Sequence, residues 1–209
     1  MVTADLKALA GAGFILARLW ASEIDETFIE QIESMDSSGP FSFLSDVQEL
    51  LNSKTRDEHE RNEMFDELAA DFCRIMIGPG DHAAPVQSVW KSGSLSGETA
   101  DQVNEIVSCI ANVQLPVTEI VDHFANEIWI ASVLLLQAHE VQDSNDDLLD
   151  ALNDFYRSHV AWGTKMTVRA QQFAQTEFYK NMLNTTRQWL DELDSVLSMT
   201  DKPSTRSSS

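Results

Sequence analysis

Glu119-Ile120-Val121-Asp122-His123, preceded by Leu115-Pro116 and followed by the apolar run Phe124 to Ala138, is the stretch on which the reading of this chain turns. Phe124, Ile128, Ala131, Leu135 and Ala138 recur at three- and four-residue spacing, which predicts one buried helical face. Proline limits how a helix can begin, so Pro116 marks a boundary between elements. Two acids and a histidine therefore gather at a junction just ahead of a core helix. Helix starts expose unpaired N–H groups and favour carboxylates, so part of this is ordinary capping. A histidine there adds a group that titrates near neutral pH. The junction is expected at a helix start rather than within an apolar face. If the helix reaches back to Glu119, then Glu119, His123 and Glu127 share a face at four-residue spacing. With no further ligand marked, a hydrogen-bonded surface cluster is the better reading than a metal site.

Working outward, the same periodicity dominates. Leu6, Leu9, Gly13, Phe14, Ala17 and Trp20 predict a buried first helix, with Thr3 as its N-cap. Ala8 to Ala17 looks like a signal-peptide core, but Asp5 offsets Lys7 and Arg18 interrupts the run. Phe28, Ile29 and Ile32 mark a short second helix. Ser37-Ser38-Gly39-Pro40 is a break, and Phe43, Val47, Leu50 and Leu51 mark a third. A charged run from Lys54 to Glu63 opens a fourth helix carrying Phe65, Leu68, Phe72, Ile75 and Met76. Gly78 to Gly97 is the longest irregular stretch and holds four of the eight glycines. Loops of this length in compact domains are often functional. Helical spacing resumes after Ser96 or Thr99 and again after Ser144-Asn145, is interrupted at Gly163-Thr164, and ends with Phe178, Met182, Trp189, Leu193 and Val196. No alternating strand and no repeat is evident. The prediction is an all-α helical bundle: an N-terminal subdomain over 1–115, a hinge over 116–123, a C-terminal subdomain over 124–199, and a disordered tail over 200–209.

The chain's 209 residues are enough for one large domain or two small ones, and 43% hydrophobic content supports a core. Fourteen Lys and Arg against 34 Asp and Glu give a formal charge of −20. Such a chain repels nucleic-acid phosphates and anionic lipid and attracts a basic peptide. No apolar run reaches about 18 residues, so no membrane span is expected. Cys73 and Cys109 are far apart and fall on apolar helical faces, which predicts two buried thiols and suits a reducing cytoplasm.

Catalytic signatures are missing. There is no phosphate-binding Gly-x-x-x-x-Gly-Lys-Ser/Thr loop and no Gly-x-Ser-x-Gly elbow. A di-iron carboxylate bundle needs Glu three residues before a histidine, and those positions hold Arg56, Pro79, Ile120, Leu136 and Tyr156. His139 and His159 sit among core-facing residues, while His59 and His82 are expected at the surface. The chain is thus expected not to be an enzyme and to hold neither metal nor cofactor. A different kind of site is visible in Phe72, the Gly78-Pro79-Gly80 turn and Trp90. Glycine and proline shape a loop, and tryptophan is a large amphipathic anchor. Beside Asp122 and His123 this would form an apolar wall with an acidic edge, as peptide grooves commonly do.

These motifs occur together, in order, in one known family. Glu119 to His123 resembles the Glu-Pro-x-Asp-His signature of the TorD/DmsD family, cytoplasmic chaperones of molybdenum-containing redox enzymes, with Ile120 where the family has proline. Leu68 to Cys73 is similar to that family's helix leading into its first loop. Ile77 to Gly80 with Pro85, Ser88 and Trp90 resembles the loop itself, and Phe178-Tyr179 an aromatic pair on the last helix. The resemblance implies a chaperone that binds the twin-arginine leader and the apo form of a molybdoenzyme and delays export until the cofactor is inserted. It is nearest to the TorD branch, whose client is trimethylamine N-oxide reductase. It implies client contacts at Phe72, Gly78, Pro79, Trp90, Glu119, Asp122 and His123. Two leader arginines facing carboxylates have a physical basis in bidentate pairing. The alternative is a GTP-binding or GTP-hydrolysing enzyme, since family members have been linked to weak GTP binding. If the hinge opened, the two subdomains could exchange between protomers to give a homodimer.

Overall fold

The computed structural model describes residues 6–34, 57–78, 82–110, 113–141 and 146–200. Thr3, the break at 37–40, the helix expected around Phe43 to Leu51, Pro79, Gly80, the Ser144-Asn145 cap and residues 201–209 lie outside these. The helices are α1 (Leu6–Ala21), α2 (Glu26–Ser34), α3 (Glu58–Phe72), α4 (Gln87–Ser92), α5 (Glu98–Cys109), α6 (Phe124–Glu140), α7 (Asp146–Phe155), α8 (Gly163–Ala170) and α9 (Glu177–Thr200). Short π turns extend α3 over Cys73–Ile77 and α7 over Tyr156–Val160. No strand occurs among the described residues, where an isolated bridge pairs Val86 with His123. The fold is all-α.

The core is built around α6. Its face from Phe124 through Ile128, Ala131 and Leu135 to Ala138 is buried, and α1 lies along it. Gly13 permits that approach: a Cβ there would collide with Ser132 Oγ of α6 and stand 2.9 Å from the Trp189 ring of α9. The two indoles nearby are satisfied as well as buried. Trp189 Nε1 donates to the Leu9 carbonyl at 2.8 Å, and Trp20 Nε1 to Thr186 Oγ1 at 3.1 Å. Helices on both sides of the 116–123 linker thus contribute to one hydrophobic core.

Acids organise both ends of α3. Asp57 and Glu60 form a reciprocal capping box at its start. Near its end, wholly buried Asp71 accepts from the main-chain N–H of Thr176 at 2.8 Å, from Thr176 Oγ1 at 2.7 Å and from the Gln175 N–H at 3.0 Å, and pairs with Arg74 at 2.5 Å. It thereby satisfies donors at the beginning of α9 from a different helix.

Several expectations are corrected. Cys73 and Cys109 are both exposed, not buried. Cys73 turns towards Glu23, donating to its carboxylate at 3.6 Å, and Cys109 closes α5, a helix that buries only Thr99 and Val103. Desolvation, and after it the Glu23 carboxylate, raise the Cys73 pKa. Helix α6 begins at Phe124 and does not reach Glu119, so the shared face of Glu119, His123 and Glu127 does not form. The interruption expected at Gly163-Thr164 falls at Ala161-Trp162, and Gly163 opens α8, where the Phe124 ring occupies the space a Cβ would need. The long glycine-rich stretch contains a helix of its own, α4.

Candidate functional site

The junction is tied together by a residue one turn into α6. Wholly buried Asn126 accepts from the Val117 N–H at 2.9 Å and donates through Nδ2 to the carbonyls of Val117, Ile120 and Val121 at 2.8–3.1 Å. The loop is wrapped around one carboxamide. That restraint substitutes for the rigidity a proline at position 120 would give.

His123 is the N-cap of α6. Its Nδ1 accepts from the Ala125 N–H at 3.2 Å, and its main chain pairs with Val86. An unprotonated Nδ1 suits this role, and burial lowers the His123 pKa to about 4 against the pull of neighbouring Asp122. Asp122 is wholly buried, contrary to a surface helix start. Its main-chain carbonyl accepts from the Gln87 N–H at 3.0 Å and its Oδ2 from the Ser88 N–H at 2.8 Å. Helix α4 has no cap from its own preceding residue, Val86. Asp122 caps it from across the chain.

The side chains of α4 then knit it to the π turn after α7. Gln87 Nε2 donates to the Ser158 carbonyl at 2.7 Å, and its Oε1 lies 3.0 Å from His159 Nδ1. Burial, with the Lys91 ammonium nearby, lowers the His159 pKa to about 4. Lys91 reaches the same Ser158 carbonyl at 3.3 Å. Trp90, 38% exposed, donates to the Ala84 carbonyl at 2.7 Å and sits 6.0 Å from the Trp162 ring. Trp162 continues inward to Phe124 at 5.4 Å, and Phe124 to Trp20 at 5.2 Å. An aromatic line runs from the surface at α4 into the core.

Beneath it lies Glu127, wholly buried, whose Oε2 accepts from Trp162 Nε1 at 2.6 Å. Burial pushes its pKa well above the carboxylate range; the indole hydrogen bond and Lys91 oppose the shift and Asp122 adds to it. Three buried oxygens here have no hydrogen-bond partner: Ser88 Oγ, Asp122 Oδ1 and Glu127 Oε1. Among the described residues no three histidines, cysteines or acids are grouped to hold a metal ion.

Of the residues expected at the site, Trp90, Asp122 and His123 are brought together through α4. Glu119 lies exposed on the loop. Phe72 is instead in the core, 6.3 Å from the Tyr179 ring. Gly78 closes the π turn, its N–H donating to the Cys73 carbonyl at 2.6 Å. Asn126, Gln87 and Trp162 also line this junction and were not expected there, and Glu127, expected in a surface cluster with Glu119 and His123, is instead wholly buried. The available signal was two polar residues, Asn126 and Glu127, in the first turn of an otherwise apolar helix.

Comparison with known proteins fits this architecture. No curated protein and no solved structure matches the chain significantly. A family model does, and the class it defines is that of molybdoenzyme maturation chaperones, all-helical proteins that bind molybdoenzyme partners. The chain belongs to the nitrate reductase delta subunit family, whose model matches residues 42–168. The matched segment contains α3 to α7, reaches into α8, and includes the whole junction. No helix among the described residues is long and apolar enough to cross a membrane.

Proposed function

We propose that this chain is a cytoplasmic chaperone for an exported molybdoenzyme, binding the twin-arginine leader and apo form of its client until the molybdenum cofactor is in place. Trimethylamine N-oxide reductase is the proposed client, by resemblance to the TorD branch. The supporting observation is Trp90, a large amphipathic ring left partly exposed on a helix that is capped by the acidic junction. An apolar leader segment suits the ring, and a pair of arginines suits a chain of charge −20. Exchange across the 116–123 linker would place α1 of one protomer along α6 of its partner, giving a homodimer.

Isothermal titration against a panel of leader peptides tests the reading. The panel includes the leader of trimethylamine N-oxide reductase, that of a nitrate reductase, and versions with both arginines neutralised. Stoichiometric binding that depends on the arginines, with no turnover of GTP, is the expected result. Failure of every leader to bind, or GTP hydrolysis by the pure protein, overturns it.

A further inference from the structure

Buried polar atoms are normally satisfied, and leaving one unpaired is costly. The junction has three such oxygens in one neighbourhood: Ser88 Oγ, Asp122 Oδ1 and Glu127 Oε1, on residues no more than 2% exposed. Each carboxylate uses one oxygen within the protein, Oδ2 on the Ser88 N–H and Oε2 on Trp162 Nε1. The second oxygen of each remains available. Asp122 is near enough to influence the ionisation of Glu127. Two carboxyl oxygens and a hydroxyl left without partners suit a ligand that brings several donors at once. A guanidinium does so, with five N–H groups in one plane.

We propose that Glu127 is the inner acceptor of the client site: a leader arginine places its guanidinium between Glu127 Oε1 and Asp122 Oδ1, with Ser88 Oγ alongside, when the Trp90 ring swings out. The inference rests on the leader-binding reading above and adds to it a residue and a proton. The way in is through α4. This helix is six residues long, ends at Gly93 in a left-handed conformation (φ 74°), and is followed by exposed residues as far as Glu98. Trp90 is held there by a hydrogen bond to the Ala84 carbonyl and its contact with Trp162.

The groups facing Glu127 fix how its charge responds. Asp122 on the junction loop raises its pKa, whereas Lys91 on α4 and the Trp162 N–H lower it. His123 and His159 are neutral at pH 7, because burial holds both near a pKa of about 4. Burial, the largest influence, favours the protonated form of Glu127 in the unliganded protein. An arriving guanidinium favours the carboxylate, so the proton leaves Glu127 for solvent as the ion pair forms. Arginine binding is therefore accompanied by proton release, and affinity rises with pH.

Glu127→Gln is the test. The amide keeps an oxygen for Trp162 Nε1 and presents an N–H₂ where the acceptor was. Titrations use the arginine leader and the same peptide with citrulline for both arginines, each in two buffers of different ionisation enthalpy. Wild type is expected to prefer arginine and to release protons on binding it. Glu127→Gln is expected to lose about tenfold or more in affinity for the arginine leader, to discriminate less against citrulline, and to release fewer protons. Ser88→Ala, which leaves the main-chain bond to Asp122 in place, is expected to weaken only the arginine leader; with proton release by wild type it carries the test should Glu127→Gln not fold. If Glu127→Gln binds the arginine leader like wild type, or loses affinity equally for both peptides, the inference is overturned while leader binding stands. Equal binding of arginine and citrulline leaders by wild type overturns it too. If wild type binds neither, both readings fall.

Discussion

Asp122 satisfies the two leading N–H groups of α4 with its main-chain carbonyl and one carboxylate oxygen. Asp122→Ala leaves the Ser88 N–H buried and unmatched, which is expected to cost about 1–3 kcal/mol and lower the melting temperature. Asp122→Asn, which retains an oxygen there, is expected to lose less. Thermal melts in which the alanine variant equals wild type would contradict this role. His123 governs a different variable. Its pKa falls from 6.5 to about 4 on folding, so as pH drops through 6.5 the unfolded chain takes up a proton and the folded chain does not. Its contribution to stability is complete above that value and is lost between pH 6.5 and 4. His159 acts in the same direction. Glu127 acts oppositely: its raised pKa makes stability fall as pH climbs above 4.5. His123→Asn keeps an acceptor at the N-cap and removes the titration. A plot of melting temperature against pH should therefore fall less steeply for this variant than for wild type between pH 6.5 and 4.

At the scale of elements, α4 is where the candidate site is made, and it was the element least legible in the sequence. Six residues hold too little periodicity to be distinguished from the glycine-rich stretch around them. The helix is capped by Asp122, 34 positions later, and no local pattern announces such a partner. Core helices were legible for the opposite reason: α6 and α9 repeat an apolar face over several turns. Asn126 and Glu127 broke that pattern visibly, but which loop the one would hold and which indole the other would meet depends on packing. The cysteines misled because Cys109 shares its helix with apolar residues, Ile106 and Val107, that are themselves only partly buried. Trp90 was legible as a large ring in the glycine-rich stretch, though not as part of a helix. Trp90→Ala should leave the arginine contacts and remove most of the apolar ones. In high salt, where exposed charges are screened, leader binding by this variant is expected to fall well below that of wild type. Equal affinities under those conditions would move the apolar contact away from α4.

For the whole molecule, the −20 charge extends attraction for a basic segment beyond any single carboxylate. Salt should accordingly weaken leader binding without abolishing it, and affinity indifferent to salt would exclude a role for the overall field. The placement of α1 has a consequence of another kind, in the order of synthesis. Leu9, Leu16, Leu19 and Trp20 are buried, and the helix that covers them is α6, starting at Phe124. Ribosomes extend chains at roughly 5–20 residues per second, so α1 emerges several seconds before its partner. Trp189, which bonds the Leu9 carbonyl, comes later still. Throughout that interval the newborn chain carries an apolar stripe that α6 does not yet cover. A protein proposed to shelter another's unfinished chain thus passes through the same vulnerable state during its own translation.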